Sequence, residues 1–215
     1  GGQYNLGTSV YLQILPWLVF GKSIWVTRGT SVLISLLAAL AVGLILKNNL
    51  KSKYAFAGIL FLSIAPAWFL HSRTAFETVT AVSFYAAFLY TYLQYRQGKS
   101  NYLPAAVVLG ALCFYSYSPA QLVMAVTALL LLIVDFRTHK RNWKIVLVSL
   151  GIAALLAVPY IRFMILHPDE NRRHLEILNS YWIQDLSPGT KLGIYFREYL
   201  KMLNPLYWFI PNSID

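Results

Sequence analysis

The stretch Val26-Thr27-Arg28-Gly29-Thr30-Ser31-Val32-Leu33-Ile34-Ser35-Leu36-Leu37-Ala38-Ala39-Leu40-Ala41-Val42-Gly43-Leu44-Ile45-Leu46 carries one charge, Arg28, close to its start. A helix of about 20 residues rises about 30 Å, the thickness of a bilayer's hydrocarbon core. Composition extends that reading to the whole chain. Of its 215 residues 58% are hydrophobic and 12% are charged, against roughly 25% charged in soluble domains. The mean hydropathy is +0.55. Five more apolar blocks follow at 54–70, 78–95, 103–117, 121–136 and 145–166. The expected fold is therefore all-α, a polytopic transmembrane bundle of about six spans with a long outer loop containing an amphipathic helix. Blocks 103–117 and 121–136 are short for independent crossings, so a re-entrant hairpin competes there.

Cations set the expected orientation. Lys47, Lys51 and Lys53 form one cluster, Arg96 and Lys99 a second, and Arg137, Lys140, Arg141 and Lys144 a third, with Asp135 the only nearby acid. They fall in alternate connections, which the positive-inside rule makes cytoplasmic. A net charge of +10 would also suit nucleic acid, but half of the basic residues sit in these clusters. Topology and anionic membrane lipid account for them, and no nucleic-acid partner is expected. Trp25, Trp68, Tyr95, Tyr102 and Trp143 fall at span ends and read as interfacial anchors.

The outer face then comprises residues 1–25, the connection around Arg73, the turn at 115–119 and everything after Leu166. Residues 167–215 mix both signs of charge, as a folded loop does. Within them Ser187-Pro188-Gly189-Thr190 precedes 191–203, where Leu192, Tyr195, Phe196, Tyr199, Leu200 and Leu203 recur at helical spacing. Asn204-Pro205 ends that helix, which either packs over the outer ends of the spans or lies along the membrane surface. Cys113 has no partner for a disulfide or a Cys-based metal site. The start, Gly1-Gly2-Gln3-Tyr4-Asn5, has no signal-peptide pattern and no initiator Met. A fragment truncated at both ends is expected: a core over 1–166 that lacks a first span and first outer loop, and an outer loop region over 167–215.

Chemistry centres on His71-Ser72-Arg73-Thr74-Ala75-Phe76-Glu77, the outer connection between the second and third blocks. Arg73 and Glu77 are four residues apart and would share one face of a helical turn, where an ion pair is the plain reading. An acid there serves no topological purpose, however, and a carboxylate near hydrocarbon carries a desolvation cost. Tyr115-Ser116-Tyr117-Ser118-Pro119 offers hydroxyls in the next outer turn. Tyr115 and Tyr117 are read either as belt residues or as lining a polar pocket. Arg28 and Arg162 read as snorkelling cations. His71, His139, His167 and His174 lack metal-ligand spacing, so no metal site is assigned; a water-mediated divalent ion at Glu77 stays open.

The layout of these residues resembles the C superfamily of membrane glycosyltransferases, in the branch of protein O-mannosyltransferases and aminoarabinose transferases. Leu15-Pro16-Trp17-Leu18-Val19-Phe20-Gly21-Lys22-Ser23 with Arg28 is similar to that family's approach to its second span. Ser72-Arg73 with Glu77 resembles its second outer loop, Phe114-Tyr115-Ser116-Tyr117 with Pro119 its next outer turn, and the segment after Leu166 its late outer loop. The resemblance covers most of the chain. It implies transfer of a hexose or pentose from a polyprenyl-phosphate donor to a protein, lipid or glycan acceptor, with no cofactor beyond that donor and the divalent ion undecided. The implied location of the reaction is the outer face of the membrane, and the compact loops suit a bacterial plasma membrane. An acceptor hydroxyl needs a carboxylate to take its proton and the departing phosphate needs a cation. The family's principal acid lies in its first outer loop, so the base is expected upstream of Gly1 and this fragment alone is expected to be inactive. In that frame Glu77 is a supporting acid and Arg73 contacts the leaving phosphate. His71, Tyr115, Tyr117, Arg172 and Arg173, with His174 beside them, are candidates for substrate binding.

Two other classes remain at this stage. A transporter or flippase for a polar solute or lipid-linked sugar would place ionisable groups or broken helices at mid-membrane, and the block interiors carry Asp, Glu, Lys or Arg only near their ends. A purely structural membrane subunit is the third.

Overall fold

The computed structural model describes residues 7–73, 77–177 and 179–204, and all their regular elements are helices. Contacts gather into two units, residues 1–159 and 160–215. The first contains α1 (Thr8–Phe20), α2 (Ile24–Leu44) prolonged by a π-helical turn (Ile45–Asn49), α3 (Ala55–Ile64), α4 (Pro66–Ser72), α5 (Glu77–Arg96), α6 (Tyr102–Phe114), α7 (Ser118–Val134) and α8 (Phe136–Arg141). Helix α9 (Trp143–Leu166) begins in it and ends in the second unit, which holds α10 (Glu170–Ile177) and α11 (Pro188–Leu203).

Punctuation residues set the boundaries. Gly21 at φ +79° turns the chain out of α1, a conformation that costs glycine little. The hydroxyl of Ser23 accepts the Val26 N–H at 3.2 Å and starts α2. Ser187 does the same for α11, accepting the Thr190 N–H at 3.2 Å, with Pro188 in the first turn.

Helix α5 is the centre of the first unit, packed between α2 and α6. It buries Val79, Thr80, Ser83, Phe88, Gln94 and Tyr95. Its polar groups tolerate this because they bond locally: Ser83 Oγ donates to Val79 O at 2.7 Å and Thr91 Oγ1 to Ala87 O at 2.9 Å. Helix α2 meets it with a face of small residues, Ser31, Ser35, Ala38 and Ala41, which allows close approach of two helices in an apolar medium. On the other side Gly110 of α6 lies against Phe88 of α5 and Met124 of α7. Large apolar side chains such as Leu33, Leu129 and Leu155 point outward and are exposed.

Helices cover all six expected apolar blocks, with four differences from the sequence reading. First, among the described residues two helical stretches are both long and apolar enough to cross a membrane, Ile24–Asn49 and Trp143–Leu166. The others are shorter or, in α5, more polar. Second, block 54–70 is broken: Pro66 holds Ala65 extended at φ −63° and ψ 118°, dividing α3 from α4. Third, α1 has no counterpart among the six blocks. Fourth, Tyr95 is not an interfacial anchor. It is fully buried, because a tyrosine whose hydroxyl is bonded internally has no need of the interface. Trp68 likewise packs against Ala38, Ala41 and Ala86, whereas Trp25 and Trp143 are exposed.

Candidate functional site

Arg73 and Glu77 lie at the junction of α4 and α5. Residues 74–76 between them are outside the described residues. Arg73 caps α4, its N–H donating to Leu70 O at 3.3 Å, and Glu77 is the first residue of α5. No ion pair joins these two residues. The Arg73 guanidinium instead lies 3.6 Å from the centroid of the Phe69 ring, a cation–π contact that leaves its N–H edges available. Glu77 is half-buried and forms no ion pair or hydrogen bond with a described residue. Burial lifts its carboxyl above the ordinary value of 4.5, since desolvation disfavours the charged form. A carboxyl so shifted accepts a proton more readily once ionised. His71 is half-buried in the last turn of α4.

The tyrosine turn divides into two roles. The Tyr115 hydroxyl donates to Leu156 O at 2.6 Å, and Tyr115 O accepts the Thr8 N–H at 3.3 Å. Tyr115 thus ties α6 to α9 and α1 and is a structural clamp. Tyr117 is the extended residue before α7, packed against the apolar core around α5 and α6. In the second unit Arg172 pairs with Glu176 at 3.1 Å and Arg173 with Glu170 at 3.7 Å. These are i,i+4 and i,i+3 pairs along α10, and Arg172 and Arg173 are exposed. The side chain of His174 lies outside the described residues. Among the described residues no three of His, Cys, Asp and Glu come together as a metal set.

One polar cluster escaped the sequence reading. At the C-terminal end of α5, Tyr92 Oη donates to Asp135 Oδ2 at 2.9 Å, and Asp135 Oδ1 pairs with Arg96 Nε at 3.1 Å. His139 stacks on Tyr95 with ring centroids 5.5 Å apart. Its Nε2 is 3.2 Å from Tyr92 Oη and its Nδ1 3.0 Å from Tyr95 Oη. Asp135 is acceptor-only, so it takes the single Tyr92 proton. Tyr92 Oη then accepts from His139 Nε2–H, and in that tautomer Nδ1 accepts from Tyr95 Oη. One directed chain of hydrogen bonds results. The sequence signal was present: Tyr92, Tyr95 and Arg96 at i, i+3, i+4 face Asp135 and His139 at i, i+4.

A family model described as dolichyl-phosphate-mannose-protein mannosyltransferase matches residues 8–173. The chain belongs to that family. No curated protein and no solved structure matches it. Membership makes this mannosyltransferase-family chain a membrane glycosyltransferase, and its two long apolar helices agree with an integral membrane protein. The match takes in α1 to α9 and so includes the α4–α5 junction, Tyr115 and Tyr117.

Proposed function

We propose that this protein transfers a sugar from a polyprenyl-phosphate-linked donor to an acceptor on the outer face of a plasma membrane, with its site at the α4–α5 junction. The observation that carries the reading is the pairing of family membership with a cation and an acid at one helix junction that have no counter-charge among the described residues. Arg73 is suited to the leaving phosphate because a guanidinium stays charged and can bond two phosphate oxygens at once. Glu77 orients the acceptor hydroxyl and supports removal of its proton, a role its raised proton affinity favours. Tyr117 flanks the donor sugar. The acceptor class, whether protein, lipid or glycan, follows from pocket contacts beyond these residues.

The membrane arrangement belongs to the same proposal. Six spans correspond to α2, α3 with α4, α5 beyond Glu77, α6, α7 and α9, with the basic connections on the cytoplasmic side. The apolar stripe of α11 supports an interfacial position for that helix, since Leu192, Phe196 and Leu200 are half-exposed or more. In the full-length protein, assayed with a polyprenyl-phosphate sugar donor, Arg73→Ala and Glu77→Gln should each lower turnover about 10²-fold while expression is unchanged. Turnover near that of the parent in both variants would refute the site.

A further inference from the structure

Helices α5, α6, α7 and α9 enclose a cleft of about 220 Å³. Its lining is apolar and includes the small residues Ala106, Ala128 and Ala153. An apolar cavity of about 150 Å³ already accepts a benzene molecule, so this one has room for part of a hydrocarbon chain. Two polar features mark it as more than a packing defect. Ser149 of α9 lines the cleft, is 3% exposed, and its hydroxyl has no hydrogen-bond partner among the described residues. A buried hydroxyl left unbonded is costly, and a serine in an apolar helix ordinarily finds a carbonyl. At the cleft's end lies His139 of α8. Around it Arg137, Lys140, Arg141 and Lys144 are exposed, while the only acid of that stretch, Asp135, is buried and already paired with Arg96.

From these features we infer that the cleft holds one acyl chain of an anionic glycerophospholipid, whose phosphate sits among the cations of α8 and whose ester carbonyl accepts from the Ser149 hydroxyl once that side chain turns into the cleft. The spacing agrees. Ser149 lies five residues beyond Lys144 in α9, about 7.5 Å along the axis. The polar interfacial layer on each side of a bilayer is about 5 to 7.5 Å deep, from the difference between total and hydrocarbon thickness. With Lys144 at phosphate level, Ser149 falls where the ester groups give way to hydrocarbon. Helix α9 is poorly buried along its length, so a lipid chain in the cleft supplies contacts that its neighbouring helices do not. This site is distinct from the α4–α5 junction, and its occupant is a lipid of the surrounding leaflet.

The proposal rests on membrane insertion. Release of the protein from membranes by alkaline washing without detergent would refute that premise separately. The test reconstitutes the full-length protein in equal parts phosphatidylcholine and phosphatidylglycerol of matched chains, extracts it in mild detergent and reads retained lipid by native mass spectrometry. One lipid per chain is expected, with phosphatidylglycerol preferred. Lys140→Gln and Arg141→Gln should each lower that preference about fivefold, the equivalent of about 1 kcal/mol per cation near a membrane surface. Ala153→Phe fills the cleft and should abolish retention. Equal retention of the two lipids by the parent protein overturns the inference, as does undiminished retention by a folded Ala153→Phe protein. Should that variant not fold, the two glutamine variants at exposed positions decide: an unchanged preference overturns the inference.

Discussion

Removing a single hydroxyl distinguishes Tyr92 from Tyr95, although the two lie one turn apart and burial alone favours the opposite order. Tyr95 is 0% exposed and Tyr92 5%, so a burial argument makes Tyr95→Phe at least as harmful as Tyr92→Phe. The direction of the hydrogen bonds says otherwise. Tyr92→Phe removes the donor to Asp135 Oδ2 and, with the same atom, the acceptor of His139 Nε2–H. A bond to a charged group contributes about 1.5 to 3 kcal/mol, and a buried donor left unpaired costs about 1 to 3 kcal/mol. Because Asp135 keeps Arg96, the expected loss is about 3 kcal/mol. Tyr95→Phe removes one neutral donor to His139 Nδ1, about 1 kcal/mol. Asn142, which also approaches the Tyr95 oxygen, retains its bond to Thr138 O at 3.0 Å. Equilibrium unfolding of the detergent-solubilised protein, followed by tryptophan fluorescence, reads both values. A Tyr95→Phe loss equal to or larger than that of Tyr92→Phe would refute the assigned proton positions.

Three further outcomes follow from other parts of the molecule. Glu77→Gln should change how stability depends on pH. Burial raises the folded-state value of Glu77 above 4.5, so its contribution is fully present below the unfolded value and is lost as pH rises through the folded one. The variant should therefore gain stability relative to the parent across that window, and parallel pH profiles would contradict the shift. Gly110→Val should cost about 1 to 3 kcal/mol by overpacking, while Gly110→Ala costs less, because an added Cβ meets the flexible end of Met124 at 3.0 Å before the Phe88 ring at 3.4 Å; denaturation midpoints of the two rank them. Ser187→Ala should lower the stability of α11 by about 1 kcal/mol through loss of the Thr190 cap, read as faster amide exchange over its first turn.

The positions of most helices were legible because hydrocarbon imposes a length and a composition that no local preference overrides. The stop of α11 before Asn204 was legible from turn chemistry, whereas its start, read at residue 191, lies at Pro188 behind the Ser187 cap. Other features depend on neighbours that the sequence does not name. Pro66 sits inside an apolar run, and whether such a proline kinks or divides a helix depends on what receives the freed backbone groups; here Ala65 O still accepts the Phe69 N–H at 2.9 Å. Tyr95 looked interfacial because tyrosine at a span end usually is, and only the arrival of His139 from a different helix makes the interior satisfactory for its hydroxyl. The i,i+4 spacing of Arg73 and Glu77 suggested an ion pair. Their nearness to one junction was readable, and the seat of the Arg73 guanidinium on the Phe69 ring was not. Tyr115 was read as a belt or pocket residue, yet the carbonyl it binds belongs to Leu156, 41 residues away.

Helix α5 joins these observations physically. It starts with Glu77 and ends at Arg96, so its two ends are about 30 Å apart. An apolar helix among apolar neighbours can slide or rotate at little cost, because one leucine contact resembles the next. Directional bonds remove that freedom: Tyr92, Tyr95 and Arg96 each engage α8 or the residue before it, and Gln94 Nε2 donates to Asn49 Oδ1 at 3.3 Å. They fix both the axial position and the rotation of α5 at the end remote from Glu77. A rigid helix transmits both settings along its length. Glu77 has no bonded partner among the described residues to hold it, so its carboxyl is positioned chiefly by the backbone that carries it. The buried polar network at the far end is therefore the part of the fold best suited to set where that carboxyl meets a substrate.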